Sequence, residues 1–190
     1  PHDLLGRLFH EFLPFETRKQ LAAFYTKPIA AEILATIAIE NPEKKIFDIA
    51  CGSGTLLVSS YRRKKTLKPS KTHKELIQEE IFGMDIMPFA AHLAALNLTL
   101  QDINQPTNEL QIGIGNTLEL EGKTKIQGQL QLFSNEKKQV DVDLNSDSGF
   151  KIPESIDIVI MNPPYTDRRR IDENMLGGKK NAFNKAQNYW

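Results

Sequence analysis

The chain is short of the features that mark disulfide-stapled, metal-binding or strongly charged proteins. It holds one cysteine, Cys51, in 190 residues, so no internal disulfide can form and a reducing, cytoplasmic setting is expected. The four histidines, His2, His10, His73 and His92, show no metal-ligand spacing, and no metal site is expected. Neither sign of charge is in excess, since 24 Lys and Arg balance 24 Asp and Glu. Contact with a polyanion must therefore come from local patches. No apolar run is long enough to cross a bilayer, and no secretory h-region stands near the start. An initiator Met is missing and the chain stops at Trp190 without a terminating signal. It is expected to be part of a longer polypeptide.

What is present reads as an α/β layer protein. Hydrophobic residues make up 40% and charged residues 25%, ordinary globular values. Leu4, Leu5, Leu8, Phe9, Phe12 and Leu13 form one helical stripe that Pro14 ends, and a second short helix is expected over 16–23. Thr26 can cap a longer helix with Pro28 in its first turn, running to about Glu40 before Asn41-Pro42. Short apolar strands are expected at 45–50, ending near Ile86, in "LQIGIGN", and in "IDIVIM". Helices from Thr55 to about Arg63 and over "MPFAAHLAALNLTLQ" alternate with them. The basic run "RRKKTLKPSKTHK" is expected as a solvated loop, with phosphate contact as the alternative. Glu119 to Glu154 is expected to be an irregular excursion with an edge hairpin at "KIQGQLQLF". This alternation implies a mostly parallel sheet with right-handed crossovers, whose ligands bind beyond the carboxyl ends of the strands.

The candidate site residues all fall at such ends. "FDIACGSGTLL" joins a strand to a helix, and Gly52 and Gly54 allow a tight turn with backbone close to a ligand. Leu57 stands where a dinucleotide fingerprint has its third glycine, and no Gly-Lys-Ser/Thr follows. Asp48 beside the turn would repel a pyrophosphate but suits a ligand carrying an ammonium group. Asp85 ends the second strand, where an acid can accept both hydroxyls of a ribose, or else cap the next helix. Ile86 offers an apolar face to a purine.

In this order, "FYT", "DIACGSGTLL", "GMDIMPFAAHLAALNL" and "NPPY" resemble the S-adenosylmethionine-dependent N6-adenine DNA methyltransferases. More narrowly, they are similar to type I modification subunits and fused type IIG enzymes. The resemblance spans roughly Leu4 to Tyr165. It implies a Rossmann-like methyltransferase fold, incomplete at its C-terminal side and preceded by N-terminal helices. Residues 1–42 would be the helical segment carrying the FYT motif, and 43–190 a truncated catalytic domain lacking its target-recognition region. The implied cofactor is S-adenosyl-L-methionine. Tyr25 and Thr26 would lie at its methionine end, and Asp48, Ala50, Cys51, Gly52 and Gly54 along the methionine and ribose. Asp85 would take the ribose hydroxyls, and Ile86 the adenine. Asn116 stands where the family often has Asp, and its side-chain oxygen can accept the same adenine amino hydrogen bond. Ile49 stands where the family usually has Pro.

Asn162, Pro163, Pro164 and Tyr165 would be catalytic. An exocyclic amino group is a poor nucleophile, because its lone pair is delocalised into the ring. The Asn162 side-chain oxygen and the Pro163 carbonyl can each accept one amino hydrogen and favour a pyramidal nitrogen. Two prolines stiffen the turn, and Tyr165 offers a ring on which a flipped base can stack. The implied partners are double-stranded DNA with a flipped adenine and specificity or restriction subunits. Arg168, Arg169, Arg170, Lys179, Lys180 and Lys185 are candidate phosphate contacts beside it. Two alternatives share these motifs: methylation of a protein glutamine or an RNA base amino group, and a cofactor-binding assembly subunit without activity. These 190 residues alone are expected to be inactive.

Overall fold

The structure, a computed structural model, describes residues 26–105, 109–115, 117, 150 and 153–163. The helices expected near 4–13 and 16–23, the hairpin within 119–149, and the basic tail lie outside them. Helix α1 covers Pro28–Ala38 and strand β1 Ile46–Asp48. Helix α2 follows over Thr55–Leu67. The short helix α3, His73–Glu75, runs into a π-helical turn at Leu76–Glu80. Strand β2 is Ile81–Asp85, helix α4 Pro88–Thr99, strand β3 Ile112–Ile114 and strand β4 Ile158–Val159.

The four strands are all parallel, in the order β3-β2-β1-β4. The chain steps outward from β1 to β3, then returns to the other side of β1. That reversal places a topological switch point between β1 and β4, where open α/β sheets bind ligands. Asp157 sets the register of β4, accepting from the backbone N–H of Lys45 at 2.8 Å and pairing with Lys44 Nζ at 2.8 Å.

Side chains alternate across the sheet as strand geometry requires. One face carries Ile46, Ile81, Ile112 and Ile160. Leu57, Val58 and Tyr61 of α2 and Ala91, Ala94, Ala95 and Leu98 of α4 pack on its β2–β3 half, and Ala31 and Ala35 of α1 pack with Ile46 and Ile160 on the rest. The opposite face carries Phe47, Phe82 and Met84, covered by Phe150. Phe150 thus returns from the long excursion to the core. Its ring would lie 2.6 Å from a Cβ on Gly113, so it packs directly against the β3 backbone.

Among the described residues the expected strands and helices are present with shifted ends, and two differences stand out. Thr26 is not the cap of α1, because Lys27 occupies the N-cap with no side-chain cap bond. Helix α2 runs past Arg63 to Leu67, so the first half of the basic run is helical, while 68–70 is an exposed turn as expected. Lys64 Nζ, fully buried, donates to Pro42 O at 2.7 Å and Glu80 Oε2 at 2.6 Å. Lys71 pairs with Glu80 and Glu43, and Lys68 with Glu43. Arg63 Nε caps α1 by donating to Ile39 O at 3.0 Å. Carboxylates distant in sequence thus hold Lys64, Lys68 and Lys71.

Candidate functional site

Strand β1 delivers Asp48 to the edge of the sheet, where it is almost fully buried. Its Oδ1 accepts from the Ala50 N–H at 3.1 Å, which turns the chain out of the strand. Cys51 N–H donates to Met84 O at 2.9 Å and Gly54 N–H to Cys51 O at 2.8 Å, closing a tight loop over the end of β2. Gly52 and Gly54 have φ of 53° and 83°, backbone that favours glycine. The Cys51 side chain belongs to the core below the turn, so only its backbone faces the edge. Burial pushes its thiol well above the ordinary range.

The turn is tied to its neighbours by two side chains. Asp85 Oδ2 accepts from Gly52 N–H at 2.8 Å, and its Oδ1 from Met87 N–H at 2.8 Å. Asp85 therefore bridges the glycine turn and the start of α4, while Met87 takes the N-cap position itself. Asn97, buried within α4, donates from Nδ2 to Ser53 O at 2.8 Å. Asn97 was not among the expected site residues, although a lone amide inside the apolar run "LAALNLTL" was a signal for it.

The absence of a third glycine also has a structural answer. A Cβ on Gly83 of β2 would lie 2.6 Å from Leu57 Cδ1. The close helix–strand approach is thus provided by a glycine on the strand, into which Leu57 packs.

Two carboxylates share this edge, and among the described residues no cation pairs with either. Burial pushes Asp48 up to about 7; the Ala50 N–H opposes this and the nearby Asp85 adds to it. Burial likewise raises Asp85, against the hydrogen bonds from Met87 and Gly52. Next to Asp85, Ile86 is 57% exposed and Phe89 59% exposed. The edge therefore combines buried carboxyl groups, backbone N–H groups and exposed apolar side chains.

Beyond β4, Ile160 N–H donates to Phe47 O at 3.0 Å and keeps the chain beside β1. Register pairs Phe47 with Val159, so Asn162 emerges just past the level of Asp48. Asn162 Nδ2 donates to Thr26 Oγ1 at 3.1 Å, while among the described residues nothing donates to its Oδ1. Pro163 follows, half-buried. The structure thus brings Thr26, Asp48, Ala50, Gly52, Gly54, Asp85, Ile86, Asn162 and Pro163 to one edge of the sheet. Tyr25, Asn116, Pro164 and Tyr165 lie outside the described residues.

A sequence profile of the family described as N-6 DNA Methylase matches residues 1–188. Among solved structures, the chain is similar to one from Vibrio vulnificus described as a modification subunit of a type I restriction enzyme. That match has 20% identity and a TM-score of 0.54, and covers 93% of this chain and 31% of the other. A type I restriction-modification methyltransferase subunit from Streptococcus thermophilus matches at 22% identity and a TM-score of 0.47, covering 86% of this chain and 28% of the other. The chain spans under a third of the length of either structure. The Vibrio structure supports the parallel, Rossmann-like fold. Among the described residues no helix is long and apolar enough to cross a membrane.

Proposed function

The chain belongs to the N-6 DNA methylase family, and from that premise we propose that the full-length protein transfers a methyl group from S-adenosyl-L-methionine to the N6 amino group of adenine in DNA. The carrying observation is Asn162 at the switch point, its Nδ2 engaged by Thr26 and its Oδ1 without a donor among the described residues. A buried carboxylate pair with no cation partner among the described residues, beside exposed Ile86, fits a cofactor with a cationic head, a diol and a purine. The cofactor supplies an electrophilic methyl on a sulfonium.

The chain's own residues do the rest. Asp48 favours the ammonium group, and the backbone of Ala50, Cys51, Gly52 and Gly54 lines the methionine and ribose. Each Asp85 oxygen uses one lone pair on a backbone N–H and keeps another for a ribose hydroxyl. Ile86 covers the adenine of the cofactor and Asn116 meets its amino group, with Tyr25 and Thr26 near the methionine end. Asn162 Oδ1 and the Pro163 carbonyl accept the two hydrogens of the target amino group and hold its lone pair toward the methyl. Positive charge grows on that nitrogen in the transition state and strengthens both bonds, so they lower the barrier rather than only binding substrate. Pro164 keeps the turn rigid, and Tyr165 stacks the flipped base, worth about 1–3 kcal/mol. The setting is a cytoplasmic restriction-modification system, with specificity and restriction functions on partner subunits or fused domains.

The test is to incubate full-length protein with methyl-labelled cofactor and genomic DNA, digest the DNA, and identify the labelled nucleoside. N6-methyladenine supports the proposal. Label on a protein glutamine or RNA instead would move the substrate. Cofactor binding with no transfer to any of these would leave an assembly subunit.

A further inference from the structure

Helix α1 has the reverse of a surface helix's pattern. Its small side chains, Ala31 and Ala35, face the sheet and pack with Ile46 and Ile160. Its large ones face away. Ile29 is 74% exposed, Ile33 56% and Ile37 70%, with Ala30 and Leu34 exposed beside them. A helix that is apolar on both faces belongs between two layers rather than at a surface. We infer that the outer face of α1 is a docking site, and that its occupant is the amphipathic helix expected over 4–13 of the same chain, outside the described residues.

The two faces match in pattern. Ile29, Ile33 and Ile37 stand four residues apart and form one ridge along α1. Over 4–13 the apolar residues form two such ridges, Leu4-Leu8-Phe12 and Leu5-Phe9-Leu13, with a groove between them. A ridge of this spacing seated in such a groove is the commonest packing of two helices in globular proteins. The lengths agree as well, since each helix runs for about three turns, or ~15 Å. Neither face carries a charged or hydrogen-bonding side chain, so closing them together strips water from no polar group.

The occupant is also within reach. Pro14 ends the expected helix, and residues 14–27 join it to α1. Extended, that connection covers up to ~45 Å, ample for the chain to reverse and lay 4–13 along the helix it precedes. A segment tethered in this way stands at the face at an effective concentration of about millimolar. A separate partner has to arrive by diffusion and compete with it. Once docked, the segment holds α1 from outside while the sheet holds it from inside. Thr26 stands directly before α1 and meets Asn162, so the clamp steadies the entry of the chain into the site.

Hydrogen exchange read by mass spectrometry tests this on the full-length protein, with wild type, Ile33→Glu, Leu8→Glu and the double variant. In wild type the amides of 4–13 should be protected. Ile33→Glu should speed their exchange about tenfold or more, because it puts a charge into the closed seam. Leu8→Glu should speed exchange in α1 by a similar factor and leave β1 and β2 as in wild type. The double variant should exchange no faster than the faster single variant in either segment, because the contact is already lost. Leu8→Glu alters no residue of the sheet or of α1, so it decides the matter even where Ile33→Glu loosens α1 from the sheet. Unchanged exchange in α1 for Leu8→Glu would overturn the inference. So would unprotected amides over 4–13 in wild type. Ile33→Glu that spares 4–13 but speeds exchange beyond residue 190, or lowers the mass in sedimentation, would give the face to that later segment or to a second copy, and overturn it equally.

Discussion

Gly52 and Gly54 both sit at positive φ in one turn, but the structure gives them different surroundings. A Cβ on Gly52 would meet nothing within 4 Å. A Cβ on Gly54 would lie 2.9 Å from the Ala94 Cα and 3.0 Å from its Cβ, with α4 backbone on the receiving side. Gly52→Ala should therefore cost only the left-handed conformation, about 1–2 kcal/mol. Gly54→Ala adds overpacking against an element that cannot rotate away, about 1–3 kcal/mol more. Equilibrium unfolding of the full-length proteins in urea, followed by circular dichroism, separates the two. With a slope of about 2 kcal/mol per molar, their midpoints should differ by roughly 0.5–1.5 M. Equal midpoints would refute the reasoning, since α4 would then yield freely and Gly54 would be a turn residue only.

Three other expectations concern charge and the amide. Asp48 has its folded-state value raised to about 7 from 3.8, so the stability it contributes is present below 3.8 and lost as pH rises through 7. Without cofactor, Asp48→Asn should then be increasingly more stable than wild type from pH 4 to 8, as unfolding curves across pH would show; a constant difference would contradict it. Glu80→Gln leaves buried Lys64 and Lys71 without that carboxylate and should cost about 3–5 kcal/mol. Lys64→Met should cost less, since Glu80 keeps Lys71, and the reverse order of urea midpoints would reject this account. Asn162→Ala should lower turnover on the order of a hundredfold with cofactor affinity nearly unchanged, measured by methyl transfer and calorimetry.

Legibility followed the range of the interactions. The cores of β1 and β2, and α4 with Pro88 in its first turn, were readable because apolar runs and their breakers are local. The placement of the Asp48 turn and of Asn162-Pro163 at strand ends was readable for the same reason. The end of α2 was not, because the contacts around it, made by Lys64, Lys68 and Lys71 with Glu43 and Glu80, join residues apart in sequence. The capping box of Thr72 and Glu75 is local, stands in the sequence as "THKE", and passed unread. Thr26 was read as a helix cap because its sequence neighbours suit one, whereas its partner is Asn162.

Taken alone, the order of residues determined which side chains stand at the ends of strands. Acid, glycine turn, acid and Asn-Pro-Pro each follow an apolar run, and local propensity suffices to place them there. Tertiary structure decided which of these ends meet. Sheet order brings β4 back beside β1, and the packing of Ala31 and Ala35 against Ile46 and Ile160 carries Thr26 to Asn162. Such pairings close loops of a hundred residues or more and are selected by burial over the whole core, so no local stretch of sequence contains them.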